Sequence, residues 1–96
     1  VSIENLADKI IGYLTDEQRI DKWFNKSQLM NSIRGINADN FYDAYDTAMK
    51  KDERLKITYT KNGKREVPQY YAEKPYDYDE ESNYDISMLV DNDEVV

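Results

Sequence analysis

Residues 55–72 read LKITYTKNGKREVPQYYA. Leu55, Ile57 and Tyr59 alternate with Lys56, Thr58 and Thr60, the period of a strand with one face on a core. Asn62-Gly63 follows. This dipeptide predicts a type I′ hairpin turn, because that turn needs positive φ at both centres. The return strand is predicted over Arg65–Ala72, with Pro68 inside it. Proline has no N–H to give to a ladder, so this strand is expected at an edge, or bulged at that point. A lone hairpin is barely stable in water. What precedes it therefore decides the fold.

Three helical patterns precede it. Residues 3–14, IENLADKIIGYL, place Ile3, Leu6, Ala7, Ile10, Ile11 and Leu14 on one stripe, with Ser2 as a cap. TDEQRIDK (15–22) is polar and reads as a turn, and Trp23-Phe24 reads as a short extended piece. Asn25 opens a second helix, with Gln28 three residues on as in a capping box; Leu29, Met30 and Ile33 face inward and Gly35 stops it. Asn37 caps a third helix through Lys51, with Phe41, Ala44, Tyr45, Ala48 and Met49 inward. Val1/Leu6, Phe24/Leu29 and Ile36/Phe41 each have the spacing of a hydrophobic staple across these caps.

The order helix, extended piece, helix, glycine turn, helix, hairpin is that of a winged helix-turn-helix. The expected class is α+β: three helices plus a β-hairpin wing, with an acidic C-terminal tail. The run KSQLMNSIRGINADNFYDAYDTAMKKDERLKITYTKNGKREVPQYYAEK (26–74) resembles the winged-helix domains of replication and regulatory proteins, a resemblance that covers about residues 3–73. It is most similar in cadence to the small module at the C-terminal end of plasmid and phage primase-helicases. That resemblance implies DNA binding, with the third helix entering the major groove. High Asn, Lys, Asp, Tyr and Ile content suits the AT-rich genome of a phage or mobile element.

Composition narrows the chemistry. The chain has 96 residues, enough for one domain with a modest core. It has no Cys and no His, which excludes disulfide scaffolds, Cys/His zinc sites, thiol nucleophiles and His-dependent acid–base catalysis. No phosphate-cradling loop or nucleophile–base pair appears, so neither an enzyme nor a cofactor is expected. Asp77, Asp79 and Glu81 begin like a calcium loop, but Ser82 and Met88 stand where glycine and glutamate are needed. No apolar run spans a membrane and no signal peptide is visible, so a cytoplasmic location is expected.

The net charge of −7 is unevenly spread. Residues 1–72 hold 12 basic and 11 acidic side chains, whereas residues 73–96 hold Lys74 against nine acids. Residues 1–74 are therefore expected to form the winged-helix domain, and 75–96, from Pro75, an acidic Tyr/Asp-rich tail.

Three surfaces are candidates. The outward face of the third helix carries Asp39, Asp43, Asp46 and Lys50. Three carboxylates oppose entry into a phosphate-lined groove. The wing gathers Lys56, Lys61, Lys64 and Arg65 near Tyr59, Tyr70 and Tyr71, a mixture suited to phosphates and unstacked bases. Lys22, Lys26 and Arg34 extend that patch. The expected nucleic-acid contacts are Lys22, Lys26, Arg34, Lys56, Lys61, Lys64, Arg65 and Tyr70, on single-stranded DNA or on the DNA backbone.

The tail (75–96), with Tyr76, Tyr78 and Tyr84 among acids and an apolar cluster at Ile86–Val90, has several readings. Its composition suits disorder. It can also fold over the wing as an internal competitor for DNA, or dock on a partner. Its end, DNDEVV, resembles the acidic, apolar-ended tails of bacterial single-stranded-DNA-binding proteins, which recruit replication partners. The alternative function is thus an acidic protein-interaction module, or a DNA-mimicking inhibitor or adaptor of a DNA-processing enzyme. Its surface would be Asp39, Asp43, Asp46, Tyr76, Tyr78 and Tyr84. A homodimer is compatible with either reading.

Overall fold

A computed structural model describes residues 2–74. Val1 and residues 75–96 lie outside the described residues, and with them the tail, its tyrosines and the boundary after Lys74. The elements are α1 (Ile3–Thr15), α2 (Lys26–Ser32), α3 (Phe41–Lys51), β1 (Leu55–Asn62) and β2 (Arg65–Ala72). Three helices followed by an antiparallel hairpin make a winged-helix-turn-helix-like arrangement.

Local capping sets the helix starts. The Ser2 hydroxyl accepts from the Asn5 amide at 3.2 Å. Asn25 and Gln28 form the reciprocal capping box, each side chain accepting from the other's amide at 2.8 Å. At the third start the Asn37 side chain accepts from the amides of Asp39 and Asn40, at 2.8 and 3.0 Å, and Asn40 returns the favour to the Asn37 amide at 2.8 Å. These bonds close a turn over residues 37–40. α3 itself begins one turn later than the sequence suggests, because Asn40 sits at φ −105°, ψ −4°, just off helical geometry. Asp39 consequently lies in the capping turn, not on the helix.

α1 packs chiefly on α3. Leu6, Ala7, Ile10 and Leu14 of α1 meet Phe41, Ala44, Tyr45 and Ala48 of α3, and Leu29, Ile33 and Ile36 close the base of the core. Gly35 has φ +96°, and a Cβ there would come within 3.0 Å of the Leu6 side chain. Glycine is therefore needed twice over at this turn, for its backbone and for its lack of a side chain.

The hairpin pairs one-to-one, Leu55 with Ala72 through Asn62 with Arg65, and has no bulge. Its loop is Gly63-Lys64, one residue later than the Asn62-Gly63 expectation. Only Gly63 has positive φ, at +68°, while Asn62 stays in the strand. This is the glycine-first pattern of a type II′ turn, which asks no non-glycine residue to go left-handed. Trp23-Phe24 is extended, as expected, and Phe24 goes further and bridges the outer edge of β2 at Tyr70. Pro68 sits two residues before Tyr70, so its ring nitrogen faces the same outer edge, beyond the bridge. It removes no bond to β1.

Candidate nucleic-acid interface

The two faces of the hairpin have different fates. Leu55, Ile57, Tyr59 and Lys61 share one face with their partners Ala72, Tyr70, Pro68 and Glu66. Near the helices this face is core: Leu55, Tyr70 and Ala72 are buried. The strand then outruns the helices. Ile57 and Tyr59 are 37% and 61% exposed, so the expected buried alternation holds for Leu55 alone.

Tyr70, expected to contact nucleic acid, is a core residue at 2% exposure. Its ring lies edge-on to Phe41 and Tyr45, with centroids 4.9 and 4.8 Å away. Burial raises its hydroxyl pKa, helped by the nearby Tyr42 and Tyr59. No face of this ring is open to a base. Tyr45 is buried too, and its hydroxyl donates to the Lys56 carbonyl at 2.7 Å, tying α3 to the root of the wing. Burial raises its pKa well above the usual tyrosine value.

The other expected cations divide into three places. Lys56, Lys61, Lys64 and Arg65 are all exposed on the wing, and none is ion-paired to another described residue. Lys61 shares the Tyr59 face, Lys64 is in the loop, and Lys56 and Arg65 lie on the opposite face with Tyr71. Lys26, at the start of α2, stands with its ammonium 4.3 Å from the centroid of the Tyr42 ring. Lys22 is exposed in the segment leading to Trp23.

Arg34 does not join this group. It lies past the far end of α2 and lines a shallow groove with Lys9, Tyr13 and Arg19. The Lys9 ammonium donates to the Arg34 carbonyl at 3.3 Å, and Arg19 caps the Tyr13 ring at 4.0 Å. The basic patch inferred along α2 is therefore split between its two ends.

Asp43 and Asp46 are exposed on α3, as the wheel predicts, and Asp39 is exposed in the turn before it. Asp46 is held by Lys50 at 3.1 Å, one helical turn on, whereas Asp39 and Asp43 have no ion-pair partner among the described residues. Sequence reasoning missed two exposed aromatics, Tyr42 at 60% and Trp23 at 53%. Tyr42 was legible in principle, because it falls about 100° from Phe41 on the wheel, at the margin of the buried stripe.

Among the described residues no charged side chain is buried, no cluster of three or more His, Cys, Asp or Glu can hold a metal, and no helix is long and apolar enough to cross a membrane. No family model, no curated protein and no solved structure matches this chain.

Proposed function

We propose that this domain binds nucleic acid through its wing, as a replication or regulatory module of a phage or mobile element, without inserting α3 into the major groove. The observation that supports it most is the placement of Lys56, Lys61, Lys64 and Arg65. All four stand on a hairpin that projects beyond the core, none is ion-paired to a described residue, and α3 offers no net positive charge, its exposed Asp43 and Asp46 offsetting Lys50 and Lys51. Cations so placed engage phosphates and release counterions, which gives affinity with little sequence preference. The test is the salt dependence of oligonucleotide binding by the full chain and by a Lys61→Ala, Lys64→Ala, Arg65→Ala variant. The variant is expected to bind more weakly, with the slope of log K against log [salt] shallower by about two to three. An unchanged slope overturns the wing reading.

A second reading is favoured by Asp39 and Asp43, two exposed carboxylates at the start of α3 with no ion-pair partner among the described residues. On that reading the domain is an acidic surface for a basic protein partner. It predicts that the intact chain binds neither single- nor double-stranded DNA at low salt.

A further inference from the structure

Two exposed tyrosines, one on α3 and one on β1, border the buried Tyr70 region. Tyr42 comes from the first turn of α3, and its ring stands edge-on to the buried Phe41 at 5.5 Å. Tyr59 comes from the middle of β1, on the sheet face that continues outward from Tyr70. Phe41 lies against both Tyr42 and Tyr70, with ring centroids 5.5 and 4.9 Å away, and Tyr59 stands one pair outward from Tyr70 on the same sheet face. Tyr70 is the buried floor between them, and Ile57, its cross-strand partner, adds apolar surface on the same face. Lys26 covers the Tyr42 end, 4.3 Å from the ring centroid. Lys61 follows Tyr59 two residues along the same face, and Lys64 stands in the loop beyond it.

We propose that Tyr42 and Tyr59 form a base-stacking platform for single-stranded nucleic acid, whose backbone runs along Lys26, Lys61 and Lys64. This deepens the wing reading and rests on it. Paired cations and open aromatic rings are what a sequence-tolerant single-strand site requires. The aspartates decide between single strand and duplex. Asp39 and Asp43 flank Tyr42 in sequence, and Asp46 lies one helical turn beyond it. A duplex presents phosphates to whatever enters its groove, and these carboxylates repel them. A single strand can turn its bases toward α3 and its phosphates toward the lysines. Carboxylates then accept hydrogen bonds from exocyclic amino groups, as they do from cytosine.

The experiment measures anisotropy of labelled oligonucleotides of about twelve nucleotides, single-stranded and duplex, with the full chain at low salt. Tyr42→Ala and Tyr59→Ala are each expected to weaken single-strand binding about tenfold and to leave duplex binding and the salt slope unchanged. Tyr42→Phe and Tyr59→Phe are expected to bind like the parent, since a phenyl ring stacks as well. Both positions are exposed, and a circular dichroism spectrum like the parent's shows that each variant is folded. If the alanine variants keep single-strand affinity while the Lys61, Lys64, Arg65 variant loses it, the platform is wrong and the wing reading stands. If duplex and single strand bind equally and lose equally with the tyrosines, the platform is also wrong. If the parent chain binds neither form, the wing reading falls and takes the platform with it.

Discussion

Phe24 and Tyr70 exchange both backbone hydrogen bonds, the Phe24 amide to the Tyr70 carbonyl at 3.0 Å and the Tyr70 amide to the Phe24 carbonyl at 2.7 Å. The bridge fastens the segment before α2 to the outer edge of β2. Just beyond it, the Asp21 amide donates to the Ala72 carbonyl at 2.8 Å. The wing is thus anchored at its root along the outer edge of β2, and Tyr70 holds it from the core side.

Tyr70→Ala is expected to cost about 3–5 kcal/mol, because a ring packed against Phe41 and Tyr45 leaves a cavity. A domain of this size has total stability of the same order. Tyr70→Phe is expected to cost under about 1 kcal/mol, since the hydroxyl has no hydrogen-bond partner among the described residues. Urea denaturation followed by far-ultraviolet circular dichroism checks both. A Tyr70→Ala midpoint equal to the parent's would remove Tyr70 from the core.

Alkali should loosen the wing root. Burial raises the Tyr45 pKa above its value in the unfolded chain, so folding favours the protonated phenol. Its stabilisation is complete below the unfolded value of about 10 and is lost as pH rises above it. Tyr70 adds to the trend in the same direction. Unfolding free energy should be flat from pH 7 to about 9 and fall beyond about 10. Tyr45→Phe should cost about 1–2 kcal/mol at neutral pH, by removing the hydroxyl's bond to the Lys56 carbonyl, and should make the alkaline fall shallower. A fall of the same steepness in that variant would place the titration elsewhere.

The two positive-φ glycines should respond unequally to alanine. At Gly63 a Cβ meets open space, so Gly63→Ala should cost about 1 kcal/mol of left-handed strain. At Gly35 the same strain is joined by the approach of Leu6, whose Cδ2 would sit 3.0 Å from the new Cβ. Gly35→Ala should therefore cost more than Gly63→Ala, by about 1 kcal/mol or more. Thermal melts of the two variants give the comparison, and equal losses would mean that Leu6 moves aside freely.

Neutralising the acidic face should raise duplex binding. Asp43→Asn is expected to strengthen duplex affinity by up to about fivefold at low salt, the worth of roughly 1 kcal/mol between exposed charges. Asp46→Asn should do less, because Lys50 already offsets that carboxylate. Filter binding at two salt concentrations reads both. No gain from Asp43→Asn would show that duplex DNA does not approach α3.

The element order was legible in the sequence because its signals are local. Ser2, Asn25 with Gln28, and Asn37 mark their turns with side chains that bond amides two or three residues away. The stripe Phe41, Ala44, Tyr45, Ala48 follows from helical period alone and is buried as expected. Even the turn is local, although Gly63 alone, and not Asn62 with it, takes positive φ.

Burial along the hairpin was not legible. Period two assigns Ile57, Tyr59 and Tyr70 to one face but does not say how far along the strands the helices reach. Only packing decides that Tyr70 is floor and Tyr59 is surface. The same holds for the cations: Lys26 and Arg34 bracket one short helix, yet one meets Tyr42 and the other joins Lys9 and Arg19, because opposite ends of α2 face different neighbours. Local signals fix which elements form and which faces are apolar, since turns and periods are set by residues close along the chain. Packing between distant elements sets which aromatic and basic side chains stand together in the open, since exposure depends on where those elements stop.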